Sequence, residues 1–423
     1  MPLLLKNATW FDWKTLISKR TNILVEEGLD KPIQFFDEIP SECVDIQCVD
    51  CQGMIATKSF VNAHHHIYSA LSRGMPPPEL PPANFFEKLQ RVWWKLDKNL
   101  DNEMIEASAL YSAMMSLKDG VTFVIDHHAS PNAISESLPT IARSFERLGL
   151  SHLLCYEVSD RDGISKAAEG LVHTSDYLAK YQGLVGLHAS FTVSNQTMKQ
   201  ASLLMEKFNS GVHIHCAEDK YDQEHCLSNY KRTVVQRFND FGFLNSSKSI
   251  LVHCLHLNKE EKKLIASNNA WVVENMESNL NNKVGIFDAK GLGNNLMLGT
   301  DGMHSNMIRS AQYAYFAGMK INPVSPMEIY LRLRNVHNYL KVNNYKGDGE
   351  NNLVLLDYNS PTEIHQQNFA GHFIYGLDAG HVKHVISNGK LVVKDGSLTM
   401  SDEAEILQFA RAMGDKLWRK MTI

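Results

Sequence analysis

The chain of 423 residues lacks several features, and each absence excludes a class of protein. It has no run of lysine or arginine and a formal net charge of -5, so nothing electrostatic suggests nucleic acid or an anionic membrane as a partner. No apolar stretch approaches the roughly 18 residues that a membrane-spanning helix needs. The first residues, MPLLLKNATW, lack the basic region and cleavage site of a secretory signal. We therefore expect a cytoplasmic protein.

The number and spacing of the cysteines do not indicate a disulfide framework. Seven cysteines are an odd number for a chain of this length and fit reduced thiols. Cys48 and Cys51 form a CxxC in QCVDCQG, but no second CxxC accompanies it and no helix start follows Cys48. A zinc site would need the former and a thioredoxin-like redox pair the latter. We therefore interpret both cysteines as structural.

The order of apolar segments predicts an α/β fold. Short apolar runs alternate with amphipathic segments from residue 56 to about residue 345. The clearest helix begins after Asp101 as its N-cap and ends before Gly120. Eight strands alternating with helices predict a (β/α)8 barrel, whereas an open doubly wound sheet would need a GxGxxG or phosphate loop that the chain lacks. The eight runs are SFVNAHHH, TFVIDHHAS, SHLLCYEVSD, LVGLHASFTVS, GVHIHCAED, SILVHCLHL, AWVVENMESN and NLMLGTDG.

Segments of β type occupy both ends of the chain. Short strand-like pieces fill the first 55 residues, and NNLVLLDYNS and GHVKHVISNGKLVVKDGSL follow residue 350 with hairpin turns at NGK and KDG. We predict that residues 1–55 and 350–423 form one composite β-sandwich domain with a C-terminal helix, and that residues 56–349 form the barrel. The proline-rich stretch GMPPPELPPANFF predicts a stiff loop over the barrel mouth.

Reactive side chains gather where the eight runs end, which is where a barrel of this type carries its catalytic groups. Successive side chains on a strand point to opposite faces, so His64 and His66 share one side while His65 points away. Taken singly, such residues also fit structural roles, for example a core histidine or a turn aspartate. Together, three imidazoles and one carboxylate from runs one, five and eight suit a divalent metal with one position open to water. The run ends carry His64, His66, Asp126, His127, His128, His188, His215, Glu218, His253, His256 and Asp301.

The ordered motifs FVNAHHH, HIHCAED, ILVHCLHL and LMLGTDG resemble the amidohydrolase superfamily, within its cytosine, guanine and chlorotriazine aminohydrolase branch. The resemblance covers essentially the whole chain. More narrowly, DHHASP, WWKLD and SNLNNKVG resemble an aminohydrolase family associated with selenium metabolism. The chain departs from the branch at Lys58-Ser59, where Pro-Gly is usual, and near Glu277, where related sequences often carry a proline or a basic residue.

This resemblance implies a role for each matching position. The metal ligands would be His64, His66, His215 and Asp301. Glu218 would be the proton shuttle, His253 would contact the attacking water together with Asp301, and His188 would contact the substrate. The fourth run offers no lysine that could bridge a second ion, so we expect one metal, zinc or else iron(II).

Several other polar residues near the run ends have two interpretations each. Arg161, beside Asp160, would bind a polar substituent of the substrate or form a surface salt bridge. His127, His128 and His256 would either orient the ligands or serve the core. His213 lies deeper than His215 on the same face of its strand, so we interpret it as a core polar residue.

The predicted function is an aminohydrolase that uses water to release ammonia from an N-heterocycle such as a purine, pyrimidine or pterin. The alternative enzymatic function is displacement of another leaving group, as in chlorohydrolases. Glu218 favours deamination, because ammonia needs a proton to leave and chloride does not. The non-enzymatic alternative is a metal-bearing scaffold or ligand sensor. We expect a small-molecule substrate, no nucleic-acid or membrane partner, and a homo-oligomer.

Overall fold

A computed structural model describes residues 2–43 and 46–421 of the chain. No helix in these residues combines the length and the apolar character needed to cross a bilayer. The strands are β1 (Leu3–Phe11), β2 (Ser18–Val25), β3 (Ile33–Phe36), β4 (Gln47–Asp50), β5 (Ile55–Lys58), β6 (Phe60–His65), β7 (Val121–His128), β8 (Ser151–Tyr156), β9 (Val185–Ala189), β10 (Val212–Cys216), β11 (Ile250–His253), β12 (Trp271–Glu274), β13 (Leu296–Leu298), β14 (Leu353–Leu356), β15 (Val382–Ser387), β16 (Lys390–Lys394) and β17 (Ser397–Leu398).

Helices fill most of the segments between the barrel strands. The first two are short and are joined by a π-helical turn over Leu89–Trp93. The helices are α1 (Phe85–Lys88), α2 (Trp94–Asn99), α3 (Asn102–Lys118), α4 (Ser137–Leu148), α5 (Ile164–Leu178), α6 (Asn195–Phe208), α7 (Lys220–Tyr230), α8 (Val234–Asp240), α9 (Lys259–Ala266), α10 (Met276–Asn282), α11 (Met307–Gly318), α12 (Pro326–Val342), α13 (Phe369–Tyr375) and α14 (Glu403–Lys420).

The eight predicted runs are strands β6 to β13, and they form the barrel. They are parallel and lie in two groups, β6 to β8 and β9 to β13. Backbone hydrogen bonds join the groups at both seams. Between β13 and β6, the amide of Asp301 donates to the carbonyl of His64 at 3.1 Å, and between β8 and β9 the amide of Val158 donates to the carbonyl of Gly186 at 3.1 Å. The predicted (β/α)8 barrel is confirmed.

The helix predicted after Asp101 is also confirmed. The side chain of Asp101 accepts a hydrogen bond from the amide of Met104 at 3.1 Å, which satisfies one of the free amides of the first turn of α3. Gly120 follows the helix with a φ of 80°, a conformation that glycine adopts without strain. The turn ends α3 directly before β7 begins.

Strands from both ends of the chain form one nine-stranded sheet beside the barrel. Strand β1 pairs antiparallel with β2 and parallel with β4 and β5, and β14 pairs antiparallel with β5. That last pairing joins the C-terminal strands to the N-terminal ones, so the extra domain is composite, as the sequence predicts. The C-terminal helix α14 lies against α3 and against the helical turn Ile67–Ser72, where the indole of Trp418 donates to the carbonyl of Leu71 at 2.8 Å. The exact division at residues 55 and 350 stays a prediction.

Buried charges hold the two residues that stand in place of Pro-Gly. The ammonium of Lys58 lies 3.0 Å from a carboxylate oxygen of Asp348. The guanidinium of Arg334 donates to the carbonyls of Lys58 and Ser59 at 2.9 and 2.7 Å. The entry into β6 is therefore fixed by hydrogen bonds from α12 rather than by the stiffness of a proline.

We expect Gly186→Ala to destabilise the barrel, because this glycine lies at the seam between β8 and β9. A Cβ at Gly186 would stand 2.2 Å from the carbonyl oxygen of Tyr156, so a strand backbone would have to move. Overpacking of this kind lowers the free energy of unfolding by about 3 kcal/mol. Chemical denaturation would measure the loss, with Gly371→Ala as the control because a Cβ there meets no atom within 4 Å. Equal stability of the two variants would contradict this packing.

Candidate active site

Three histidines at the mouth of the barrel present the same ring nitrogen to one point. His66 Nδ1 donates to the carbonyl of His127 at 2.6 Å, and His215 Nδ1 donates to the carbonyl of His188 at 2.9 Å. His64 Nδ1 is hydrogen-bonded to His213 Nε2 at 2.8 Å. With each Nδ1 engaged, each Nε2 faces the shared point and can bind a metal once it carries no proton.

The distances between these donor atoms fit a shared metal ion. His66 Nε2 lies 3.1 Å from His215 Nε2 and 3.1 Å from Asp301 Oδ1, which is 3.6 Å from His64 Nε2. Tetrahedral ligands about 2.0–2.1 Å from zinc lie about 3.3 Å apart. His64 Nε2 is buried without a hydrogen-bond partner among the described residues, a costly arrangement that a metal would satisfy. The four predicted ligands thus come together in a set that suits one divalent metal.

The electrostatic environment also suits a metal. Burial lowers the pKa of His64 and of His215 well below the usual range, so both rings are neutral near pH 7. Burial lowers the pKa of His66 as well, but the hydrogen bond and the charge of Asp301 outweigh it and raise this pKa to about 9. A proton and a metal compete for the same lone pair, so an ion would displace the proton on His66.

Glu218, His253 and Asp301 meet beside the ligand set. His253 Nε2 lies 3.5 Å from Glu218 Oε2 and 3.9 Å from Asp301 Oδ2, and it is buried without a hydrogen-bond partner in the described chain. His253 Nδ1 donates to Asn279 Oδ1 at 2.8 Å, which fixes the ring. Burial, and next the charge of Asp301, raise the pKa of Glu218 well above its usual range. A carboxyl group with a raised pKa can both accept and return a proton near neutral pH.

The backbone is strained where two of these side chains leave their strands. His253 has a φ of 71° and Asp301 a φ of 53°, in the left-handed region that residues other than glycine rarely adopt. Strain of about 1–3 kcal/mol per residue persists only where the surroundings enforce it, and it is concentrated at functional sites. Here it turns both side chains toward the ligand set.

A narrow cavity opens onto the ligand set. Its volume is about 60 Å³. One water needs about 10–15 Å³, so the space corresponds to about four to six waters. Aromatic residues of the segment after the proline-rich loop form one wall and polar groups from the barrel form the others. The lining residues include Phe85, Leu89, Trp93, Trp94, Glu157, Arg161, His188, Glu218, Ser278, Asn282 and Met303.

His188, the predicted substrate contact, lines this cavity. Burial lowers its pKa to about 4, so the ring is neutral. The hydroxyl of Thr192 donates to the carbonyl of Ala189 at 3.2 Å and so accepts from His188 Nδ1 at 2.6 Å. This network leaves His188 Nε2 as a hydrogen-bond acceptor.

Arg161, the other predicted substrate contact, also lines the cavity, but acidic neighbours hold it. Its guanidinium forms an ion pair with Asp97, and its Nε lies 3.2 Å from Asp162 Oδ2. The guanidinium also lies over the ring of Trp94, with 5.2 Å between its central carbon and the ring centroid. Its predicted binding of a substrate substituent stays a prediction.

The family of the chain follows from sequence comparison. The model of the amidohydrolase family matches residues 55–392. The chain belongs to the amidohydrolase family. This amidohydrolase is 27% identical over 418 residues to a 5'-deoxyadenosine deaminase of Methanococcus vannielii, an alignment that covers 93% of this chain and 95% of the relative.

Solved structures share the amidohydrolase's fold. An adenosine deaminase from Xanthomonas campestris with bound zinc superposes with a TM-score of 0.82 at 19% identity, over 98% of both chains. The atrazine chlorohydrolase TrzN from Arthrobacter aurescens, complexed with zinc, superposes with a TM-score of 0.81 at 16% identity, over 97% of this chain and 100% of the other. These likenesses support the barrel with its added domain.

Glu157 is the main polar residue of the amidohydrolase's cavity that sequence reasoning missed. It follows β8 directly, and its carboxylate lies 3.1 Å from His127 Nδ1. Burial raises the pKa of Glu157, but the interactions with His188, His127 and Arg161 outweigh it and hold this pKa below its usual range. A buried, ionised carboxylate on the cavity wall can accept hydrogen bonds from a substrate N–H. The sequence feature that could have identified it is the charged residue Glu157 within the apolar run SHLLCYEVSD.

The histidines with two predicted roles differ in what they contact. His127 supplies the backbone carbonyl that fixes His66. His213, interpreted from the sequence as a core polar residue, holds the ring of His64 and so orients a predicted ligand. His128 is hydrogen-bonded to Ser130 at 2.9 Å, and His256 to the carbonyl of Val284 at 2.7 Å. These last two stabilise loops rather than ligands.

Proposed function

We propose that this amidohydrolase is a zinc-dependent aminohydrolase that releases ammonia from an amino-substituted N-heterocycle, with the adenine ring of an adenosine-like compound as the first candidate. The observation that carries the proposal is the convergence of three Nε2 atoms and Asp301 beside Glu218 and His253. The deaminase named above, similar along nearly the whole chain, supports the choice of an adenosine-like ring.

His64, His66, His215 and Asp301 would hold the metal, which when bound lowers the pKa of a coordinated water to about 7. His253 Nε2 and Asp301 Oδ2 lie close enough to hold that water against the ring. Glu218 would accept the proton of that water and give it to a ring nitrogen. It would then take the second proton from the added hydroxyl and deliver it to the departing amine, which leaves as ammonia. Aromatic side chains of the mouth, including Trp93 and Trp94, would pack on the faces of the heterocycle.

The chlorohydrolase alternative uses the same fold, as the likeness to the atrazine chlorohydrolase illustrates. Glu218 favours ammonia, because its raised pKa suits the delivery of a proton to a poor leaving group. A scaffold or sensor would not need the unpartnered His253 Nε2 next to Glu218. The cytoplasmic location, the homo-oligomeric state and the narrower resemblance to a selenium-associated family stay predictions.

Ammonia release from a panel of aminopurines, adenosine derivatives, aminopyrimidines and pterins would test the proposal. We expect turnover of at least one compound by zinc-loaded protein, and loss of it after a chelator removes the metal. Added zinc should restore activity, and iron(II) added to a second aliquot would compare the two ions. Protein that holds one metal per chain and releases ammonia from no compound would contradict deamination, and chloride release from chlorinated rings would then favour the alternative.

A further inference from the structure

A lysine from the mouth of the barrel reaches the candidate proton shuttle through one asparagine. Lys88 lies on α1, and its Nζ donates to Asn282 Oδ1 at 2.7 Å and approaches the carbonyl of Asn281 at 3.5 Å. Asn282 ends α10, and its Nδ2 donates to Glu218 Oε1 at 3.4 Å. Three separate segments of the chain therefore meet at one amide.

The donors and acceptors along this path allow only one orientation of the amide. An ammonium group donates and cannot accept, so Lys88 fixes the amide oxygen of Asn282 toward itself. The NH₂ group then points to Glu218 and to Ser278 Oγ, which is 3.3 Å away. The hydroxyl of Ser278 donates to Asp301 Oδ2 and so keeps its lone pairs free for Asn282. A reversed amide would set its oxygen against the Glu218 carboxyl group and its NH₂ group against the ammonium.

We propose that Lys88 and Asn282 are positioning residues for the proposed deamination, forming a relay by which the mouth segment (residues 85–99) orients Glu218. The segment also packs on the helix that follows Glu218, since the ring of Phe86 lies 4.7 Å from that of Tyr221 on α7. Phe85 and Leu89 line the cavity on either side of Lys88. A substrate that contacts Phe85 and Leu89 therefore contacts the segment that orients the Glu218 carboxyl group.

The relay rests on the proposed function, so its test includes a readout that needs no turnover. Lys88→Met keeps the apolar stem and removes the donor, whereas Lys88→Arg restores donors. In crystal structures of the zinc-loaded proteins, we expect the Glu218 carboxyl group to move by about 1 Å in Lys88→Met and to keep its place in Lys88→Arg. Lys95→Met, an exposed position on the same segment, serves as the matched control.

Kinetics supply the second readout. A displacement of about 1 Å can lower a rate by up to about 100-fold, so we expect kcat of Lys88→Met to fall by about 10- to 100-fold. KM should stay near the wild-type value, because the relay touches the shuttle rather than the substrate. Lys88→Arg should recover most of kcat, and Lys95→Met should leave it unchanged. The double variant of Lys88→Met with Asn282→Ala should lose no more than the worse single variant.

Two results would overturn the relay: an unmoved Glu218 in the Lys88→Met structure, or a Lys88→Met kcat equal to that of wild type. Weaker substrate binding alone, with kcat intact, would assign Lys88 to the substrate instead. If the wild-type protein releases no ammonia from any compound, the proposed function fails, and the crystal structures still decide whether Lys88 orients Glu218.

Discussion

Glu218→Gln is expected to lower kcat for ammonia release by about 1,000-fold while the protein keeps its fold and its metal. General acid-base catalysis contributes about 10²- to 10⁴-fold, and glutamine cannot carry the proton. The substitution preserves the shape of the side chain and an oxygen that can accept from Asn282, so the surrounding contacts should persist. Steady-state kinetics with metal content measured on the same sample would give the result.

Glu224→Gln is the matched control, since Glu224 is exposed on α7 only six residues further on. It should match wild type in rate, metal content and melting temperature. A Glu218→Gln variant with full activity would show that another group moves the proton. A variant that loses its metal together with its activity would instead assign Glu218 to ligation.

The residues that could be predicted are those whose position follows from strand geometry alone. His64 lies on β6 and His66 directly follows it, while His215 and Asp301 stand at or just past the ends of their strands, so a closed barrel brings them to one point. Chain order and a period of two therefore gathered the candidates at one end of the barrel, and the resemblance to the amidohydrolase superfamily selected the ligands among them. The same reasoning placed the composite sheet, because its turns carry local signals such as NGK.

The groups that orient the site could not be predicted in this way. The partners of His66 and His215 are backbone carbonyls. Every residue has a carbonyl, so the residue type does not predict this contact. Asn282 and Lys88 are 194 residues apart and share no strand or helix, so their contact depends on how the mouth segment folds over the barrel. Strand alternation placed His213 inside the barrel but could not show that its ring would hold His64.

Asp301→Asn is expected to damage metal binding as well as turnover, in contrast to Glu218→Gln. The carboxylate of Asp301 lies 3.1 Å from His66 Nε2, and its other oxygen accepts from the hydroxyl of Ser278. Asparagine removes the negative charge. If its NH₂ group takes the place of Oδ2, that group faces the hydroxyl of Ser278, which is itself a donor. Loss of a group that only hydrogen-bonds to a metal ligand weakens metal affinity by about 10- to 100-fold, so we expect at least that loss when a ligand itself is changed. The catalytic efficiency should fall by about 1,000-fold or more, which corresponds to about 4 kcal/mol of transition-state stabilisation.

Metal content after dialysis and the gain in melting temperature on adding zinc would measure the loss of binding. Asp176→Asn, exposed on α5, should behave as wild type in both assays. An Asp301→Asn protein that keeps one tightly held metal would remove Asp301 from the ligand set and leave it only a place beside the water with His253. Because Glu218→Gln should keep its metal and Asp301→Asn should lose it, the pair separates the group that moves the proton from the group that holds the ion.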